Sequence, residues 1–286
     1  MRSDKNRQNK IMEIISEVYE HCSGNYIGKD EAIDAQVIGL KLFEEPIVGF
    51  GSAEDDLFME CKQPQVVGPW HWLPSEWFSE AKTVVALFFP FSEQIKSDNR
   101  PLTDRPSHAW LHGRIEGQYY LNAYMRMLNE RLAAEGIKGC VPAIDSRFKV
   151  VMAGNAGNLY GQQDEQVYGS NWSERHAAYI CGLGTFGLSK GLITEKGMAG
   201  RFASIIIDQE IDPTKRNYKE PYEYCTQCGA CVVRCPVDAI TLEDGKNHKI
   251  CSDWLDVMGE RYKPRYGCGL CQTRVPCESQ IPVRKE

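Results

Sequence analysis

Eight of the twelve cysteines in this 286-residue chain fall between positions 225 and 277, and their spacing is that of iron ligands. The first group reads Cys225-x2-Cys228-x2-Cys231-x3-Cys235-Pro236. This is the bacterial ferredoxin run: three thiolates of a tight loop take one [4Fe–4S] cube, and a short helix carries the fourth to a neighbouring cube. Pro236 ends the local hydrogen bonding, and Gly229 leaves room for backbone beside a cluster. The second group is Cys251, Cys268, Cys271 and Cys277. The crossed arrangement predicts Cys225, Cys228, Cys231 and Cys277 on a first cluster. Cys235, Cys251, Cys268 and Cys271 then take a second. The wide gap between Cys251 and Cys268 predicts an inserted helix around Ser252–Met258. Zinc also uses CxxC pairs, but three cysteines at successive x2 spacing followed by x3-Cys-Pro are not a zinc pattern. Cys22, Cys61, Cys140 and Cys181 lie outside both groups and read as small buried apolar residues.

Composition narrows the setting. The net charge is -6, from 33 Lys and Arg against 39 Asp and Glu. Extended nucleic-acid binding needs a basic surface, so nucleic acid is not the expected partner. The N-terminus is polar, with neither a signal peptide nor a twin-arginine signal, and no apolar run approaches the roughly 20 residues of a bilayer span. A cytoplasmic location follows as the expectation. Cytosolic thiols stay reduced, which favours metal ligation over disulfides.

The elements that must position the cysteines form an α+β pattern. Residues 5–22 read as an amphipathic helix with Ile11, Met12, Ile14, Ile15 and Val18 at helical spacing. Residues 23–80 are irregular and punctuated by Pro64, Pro69 and Pro74. Lys82-Thr-Val-Val-Ala-Leu-Phe-Phe-Pro90 is a buried strand. A polar loop at 92–113 leads to a helix at 116–135, which Gly136 stops. Lys149–Met152 is a further strand, and a glycine-containing loop covers 153–170. Asn171 is the expected cap of the next helix, with Glu174 reaching back to it. Strands follow at 192–194 and 201–208, and a charged linker at 209–224 precedes the cysteines. Three regions are expected: an N-terminal helix and extension at 1–80, an α/β core at 81–215, and a ferredoxin-like module at 216–286.

The core carries one further motif, Gly182-x-Gly184-x2-Gly187. A dinucleotide fingerprint would follow a strand and open a helix. Here the glycines close a helix and precede a strand, so nicotinamide binding is not expected.

The same segment, Tyr179-Ile-Cys-Gly182-Leu-Gly184-Thr-Phe-Gly187 followed by Gly191-Leu-Ile-Thr194, resembles the corrinoid-dependent epoxyqueuosine reductases and reductive dehalogenases. Tyr266-Gly-Cys268-Gly-Leu-Cys271-Gln272 resembles a second motif of the epoxyqueuosine reductases. The resemblance covers 171–277 well, 82–145 thinly and the first 80 residues hardly at all. It implies a nitroreductase-like α/β core that holds cobalamin face-on, followed by a ferredoxin-like module with two [4Fe–4S] clusters. Electrons from a low-potential donor of ferredoxin or flavodoxin type would pass through the clusters to the cobalamin, which reduces a small molecule.

Under that resemblance Gly182, Gly184 and Gly187 are corrinoid-binding candidates; a helix cap plus a turn is the competing account. Asp145, in Val141-Pro-Ala-Ile-Asp145-Ser146, is the candidate proton donor and would need a raised pKa; otherwise it is a turn aspartate. His176 reads as a capping or surface residue. Trp70, His71, Trp72, Trp77 and Phe78 wall a pocket or belong to the core. An electron-transfer protein that reduces a partner, for example a corrinoid protein, is the alternative function. Epoxyqueuosine reduction on tRNA is less expected, given the acidic charge and the chain's end at Glu286. The absence of an export signal disfavours dehalogenation.

Overall fold

The computed structural model describes residues 2–152 and 168–284. Its spine is β2 (Thr83–Pro90), whose eight residues are all buried. Both edges of β2 are paired. β1 (Ile47–Ser52) runs antiparallel from Ile47 opposite Phe88 to Ser52 opposite Thr83. β8 (Gly200–Ile207) runs antiparallel on the other side, from Gly200 opposite Pro90 to Ile207 opposite Thr83. β3 (Gly139–Cys140) pairs with β8 and completes the order β1-β2-β8-β3.

Side chains alternate between the two faces of such a strand. Val85, Leu87 and Phe89 join a core formed with α1 (Arg2–His21) and α5 (His108–Ala134). Val84, Ala86 and Phe88 join a second core with Trp172, Ala177 and Ile180. Burial on both faces explains why β2 is apolar at every position rather than every second one.

Three expectations change. The segment 92–113 is largely helical. Ser92 caps α4 (Glu93–Asn99) by accepting from Ile95 N, and Ser107 caps α5 by accepting from Trp110 N at 3.1 Å. Part of the expected N-terminal extension belongs to the main sheet, because β1 is its edge strand. Ser173 is the N-cap residue of α6 (Glu174–Ile180), not Asn171. The Asn171 amide instead accepts from Lys149 N at 2.8 Å and donates to Arg147 O at 2.9 Å, tying down the β4 (Val150–Met152) and β5 (Tyr168–Ser170) ribbon.

A hairpin of β6 (Gly184–Phe186) and β7 (Leu192–Thr194) precedes β8. The cysteine module holds α7 (Ala230–Val233), β9 (Ile240–Thr241), β10 (Gly245–Lys246) and α8 (His248–Tyr262). α8 fills the gap between Cys251 and Cys268 and contains the predicted Ser252–Met258 helix. The module docks on the core through polar contacts. Met198 N donates to Cys277 O at 3.0 Å, Ala199 N donates to Glu278 O at 3.1 Å, and Arg100 Nε donates to Glu278 Oε1 at 2.9 Å. Among the described residues no helix is long and apolar enough to cross a membrane.

Candidate redox centre

Four of the eight thiols line one cavity, and the other four interact with one another electrostatically. Cys225, Cys228, Cys231 and Cys277 line one small cavity, walled by Leu188, Ile193, Met198 and Val275. Cys277 Sγ lies 3.2 Å from Met198 Sδ. Burial pushes the Cys231 and Cys277 thiols up to about 12, and neighbouring thiols add to it: Cys225 and Cys228 act on both, Cys231 acts on Cys277, and Cys271 acts on Cys231.

The second set is Cys235, Cys251, Cys268 and Cys271. Burial raises the Cys271 thiol; Lys246 opposes that, while Cys251 and Cys235 reinforce it. Burial pushes Cys268 up to about 12, with Cys271 and Cys251 among its neighbours. Cys251 stands in the first turn of α8, which Asn247 caps by accepting from Ile250 N at 3.2 Å. Ala239 N donates to Cys235 Sγ at 3.2 Å. The sets meet at α7, which holds Cys231 and precedes Cys235, and Cys271 of the second set acts on Cys231 of the first.

Crowded thiols that burial holds protonated are uncomfortable alone. Iron provides the positive charge that lets them ionise, and thiolate is the form that ligates. Among the described residues no three His, Cys, Asp or Glu side chains converge as a single-ion site. The first set instead surrounds a space, as the corners of a cube require. The residues fit [4Fe–4S] clusters.

Beside the second set lies a partly buried polar interior where α6, the start of β8 and the module meet: Glu174, His176, Arg201, Lys246 and His248 are half-buried and Arg175 is exposed. The charge of Arg175 acts on His176, Arg201, Lys246 and His248. Arg201 bonds Gln118 Oε1, yet its Nε is buried without a partner. Burial, then Arg114, hold its pKa down to about 9. Arg114 donates to Tyr266 Oη at 3.0 Å and lies over that ring at 4.8 Å. Both carboxyl oxygens of Glu174 are buried and unpartnered. Trp172 Nε1 and Ser204 Oγ stand near them but bond each other, at 2.9 Å. Burial raises the Glu174 carboxyl to about 7.

The residues singled out by resemblance behave differently. Asp145 is not a raised carboxyl. Arg147 grips it with Nε to Oδ1 at 2.9 Å and Nη2 to Oδ2 at 2.8 Å, and lowers it to about 2. Arg147 in turn donates to Trp77 O at 2.8 Å. The three glycines make close approaches within the chain. Gly182 has φ +85 at the end of α6, and a Cβ there would lie 3.0 Å from Thr214. A Cβ on Gly184 would lie 1.9 Å from Ile193 O, and one on Gly187 would lie 3.3 Å from Ile193 Cδ1. The helix cap at Gly182 and the backbone approach at Gly184 require glycine; Gly187 meets only the end of the Ile193 side chain. His176 bonds Ser173 Oγ at 2.7 Å, and burial holds it neutral by lowering it to about 3. Trp70, His71 and Trp77 are buried. Cys61 and Cys181 are buried and Cys22 and Cys140 half-buried.

Residues 219–241 match the 4Fe-4S binding domain family. No curated protein matches the chain by sequence. A selenomethionine-labelled epoxyqueuosine reductase superposes with a TM-score of 0.50 at 17% identity, covering 96% of this chain and 68% of that one. A catabolic reductive dehalogenase superposes with a TM-score of 0.53 at 13% identity, covering 83% of this chain and 30% of that one. A reductive dehalogenase described as suggesting a mechanism for B12-dependent dehalogenation gives 0.52 at 14% identity, with 83% and 30% covered. The chain has the fold of epoxyqueuosine reductases and reductive dehalogenases. It spans less than a third of the length of the two dehalogenases.

Within this reductase fold, sequence reasoning missed Glu174, Arg201 and Lys246. Glu174 was read only as a capping residue paired with Asn171, Arg201 only as a charge opening an apolar strand, and Lys246 carried no signal.

Proposed function

We propose that the chain is a cytoplasmic iron–sulfur oxidoreductase that passes electrons through two [4Fe–4S] clusters to a cobalamin, for reduction of a small molecule. The observation that carries this reading is the convergence of Cys225, Cys228, Cys231 and Cys277 on one cavity, within a segment that matches the 4Fe-4S binding domain family; the crossed order of ligands is the one the spacing predicts. Cys225, Cys228, Cys231 and Cys277 hold one cluster; Cys235, Cys251, Cys268 and Cys271 hold the other. A low-potential ferredoxin or flavodoxin is the fitting donor.

Support for cobalamin is of two kinds. A dehalogenase of this fold is described in connection with B12-dependent chemistry. The buried orphan atoms of Arg201 and Glu174 suit a ligand bearing amides and a phosphate. When bound, the cobalamin supplies a metal centre able to take up electrons and pass them to a substrate. The chain's residues do the rest. Arg201 binds an acceptor or anionic group. Glu174 holds a proton near neutrality, because its buried site disfavours the carboxylate. Trp172, stacked on Phe58 and His71, keeps water from that carboxyl. Gly182, Gly184 and Gly187 shape the turn beside this interior rather than cradling the cofactor with open backbone. Asp145 stays a carboxylate while Arg147 grips it, so it gives up that ion pair before it can carry a proton.

Anaerobic reconstitution of the full chain with iron, sulfide and cobalamin tests the reading. Two cubes require about eight irons and eight sulfides per chain, and corrin absorbance should co-elute with the protein on gel filtration. Clusters without corrin would leave an electron-transfer protein that reduces a partner. Zinc without sulfide would overturn the proposal altogether.

A further inference from the structure

The two thiol sets sit in unequal electrostatic surroundings. Burial and neighbouring thiols are the strongest influences on Cys231 and Cys277, and the cavity they line has the apolar walls Leu188, Ile193, Met198 and Val275. Two cations converge on the other set. Lys246, half-buried in the β9–β10 hairpin, stands beside Cys251 and Cys271. Arg234, fixed by donating to Leu102 O at 2.8 Å and Thr273 O at 3.1 Å, acts on Cys268 and Cys271.

Dipoles add to the difference. Ala239 N–H points at Cys235 Sγ at 3.2 Å. Cys251 lies in the first turn of the 15-residue helix α8, where unpaired N–H groups concentrate positive potential. Trp254 Nε1 is buried beside Cys268.

A reduced cube carries one more negative charge than an oxidised one. Cations and N–H donors around the sulfurs therefore stabilise the reduced form and raise the potential, whereas apolar burial lowers it. The sets differ in access as well. Cys228 is exposed, whereas Cys235, Cys251, Cys268 and Cys271 are all half-buried, and the charge of Arg175 reaches Lys246 beside them.

We infer that Lys246 and Arg234 make the Cys235/Cys251/Cys268/Cys271 cluster the more easily reduced of the two, so that an electron entering at the exposed Cys228 side comes to rest beside the interior at α6. The inference rests on the two-cluster reading above. One electron leaves the first cluster, which is oxidised, and enters the second, which is reduced. No bond and no proton moves. The electron originates in a one-electron donor of ferredoxin or flavodoxin type.

A redox titration of the reconstituted full chain, followed by EPR, tests this. Wild type should show two one-electron midpoints. Lys246→Met should lower the higher midpoint by roughly a tenfold change in electron partition, about 59 mV for one electron, and leave the lower in place. Lys246→Arg should keep the wild-type pattern. Cys228→Ser should alter only the EPR signal belonging to the lower midpoint, identifying it as the surface-side cluster. The inference fails if Lys246→Met leaves both midpoints in place or moves the lower one. About four irons per chain with a single midpoint would instead overturn the two-cluster reading, and the iron count separates that failure from this one.

Discussion

The sheet core and the cysteine module are built on opposite principles. Around β2, apolar side chains from both faces of the sheet are withdrawn from water: Val84, Val85, Ala86, Leu87, Phe88 and Phe89 are all at 0% exposure. In the module, buried apolar residues are few, among them Ala239, Ile240, Met258, Leu270 and Val275. Its strands are two residues long, and α7 is a single turn. Hydrophobic burial suffices for the first region. The second needs its ligands, because metal-binding energy becomes folding energy where a core is too small to hold itself.

Removing the iron breaks that comparison most forcefully. Chelation of the reconstituted protein, or Cys231→Ala, should open residues 222–282 to protease and to hydrogen exchange while the sheet stays protected. Phe88→Ala should do the converse. That ring is fully buried against Phe202 at 4.6 Å, and its loss should cost about 3–5 kcal/mol of core stability with iron content unchanged. A single cooperative loss of protection across both regions after chelation would refute the division.

The same contrast decides what was legible in the sequence. Cluster ligands are set by local spacing, so the cysteine run could be read directly and even the α8 insertion foreseen. β2 was legible because burial on two faces leaves an unbroken apolar run. β1 was not, because Gly49 and Gly51 interrupt its pattern. They are required by a long-range contact: a Cβ on Gly49 would lie 2.2 Å from Cys181 O, and one on Gly51 would lie 2.9 Å from Cys181 Sγ. The start of α5 was hidden because Trp110 and Leu111 stand among His108, His112, Gly113 and Arg114, which interrupt the helical spacing that Leu121, Met125, Leu128 and Leu132 make plain. Glu174 looked like a capping carboxylate, and only the placement of Ser173 at the cap and of the carboxyl in the interior showed otherwise.

Glu174 sharpens the comparison from inside the burial-driven region. Its carboxyl rises from the ordinary 4.5 to about 7 because burial penalises the charged form. Stability associated with the neutral carboxyl is therefore fully present below pH 4.5 and is lost as pH rises through 7. The shift corresponds to about 3 kcal/mol. Glu174→Gln keeps the side chain neutral, so the variant should gain on wild type by about that amount between pH 4.5 and 7.5. Urea melts of both proteins at the two pH values measure it. Parallel curves would mean that the carboxylate finds a partner or water when it ionises.

Asp145 gives the smallest effect, because its environment solves the same problem in the opposite way. Its carboxylate meets Arg147 at the surface, where the guanidinium is 44% exposed and solvent screens the pair. The lowered pKa means that the pair's contribution is present above pH 3.8 and is lost as pH falls through about 2. Asp145→Asn should therefore change stability at pH 7 by less than about 1 kcal/mol. It should also remove the acid limb of the stability curve that the pair produces. Substrate reduction separates this structural role from the one that resemblance suggested. If Arg147 holds the carboxylate throughout turnover, Asp145→Asn leaves the rate of the reconstituted enzyme nearly unchanged, while Glu174→Gln abolishes its pH dependence near 7. The reverse result would mean that Asp145 leaves Arg147 when substrate binds and that proton delivery belongs to it.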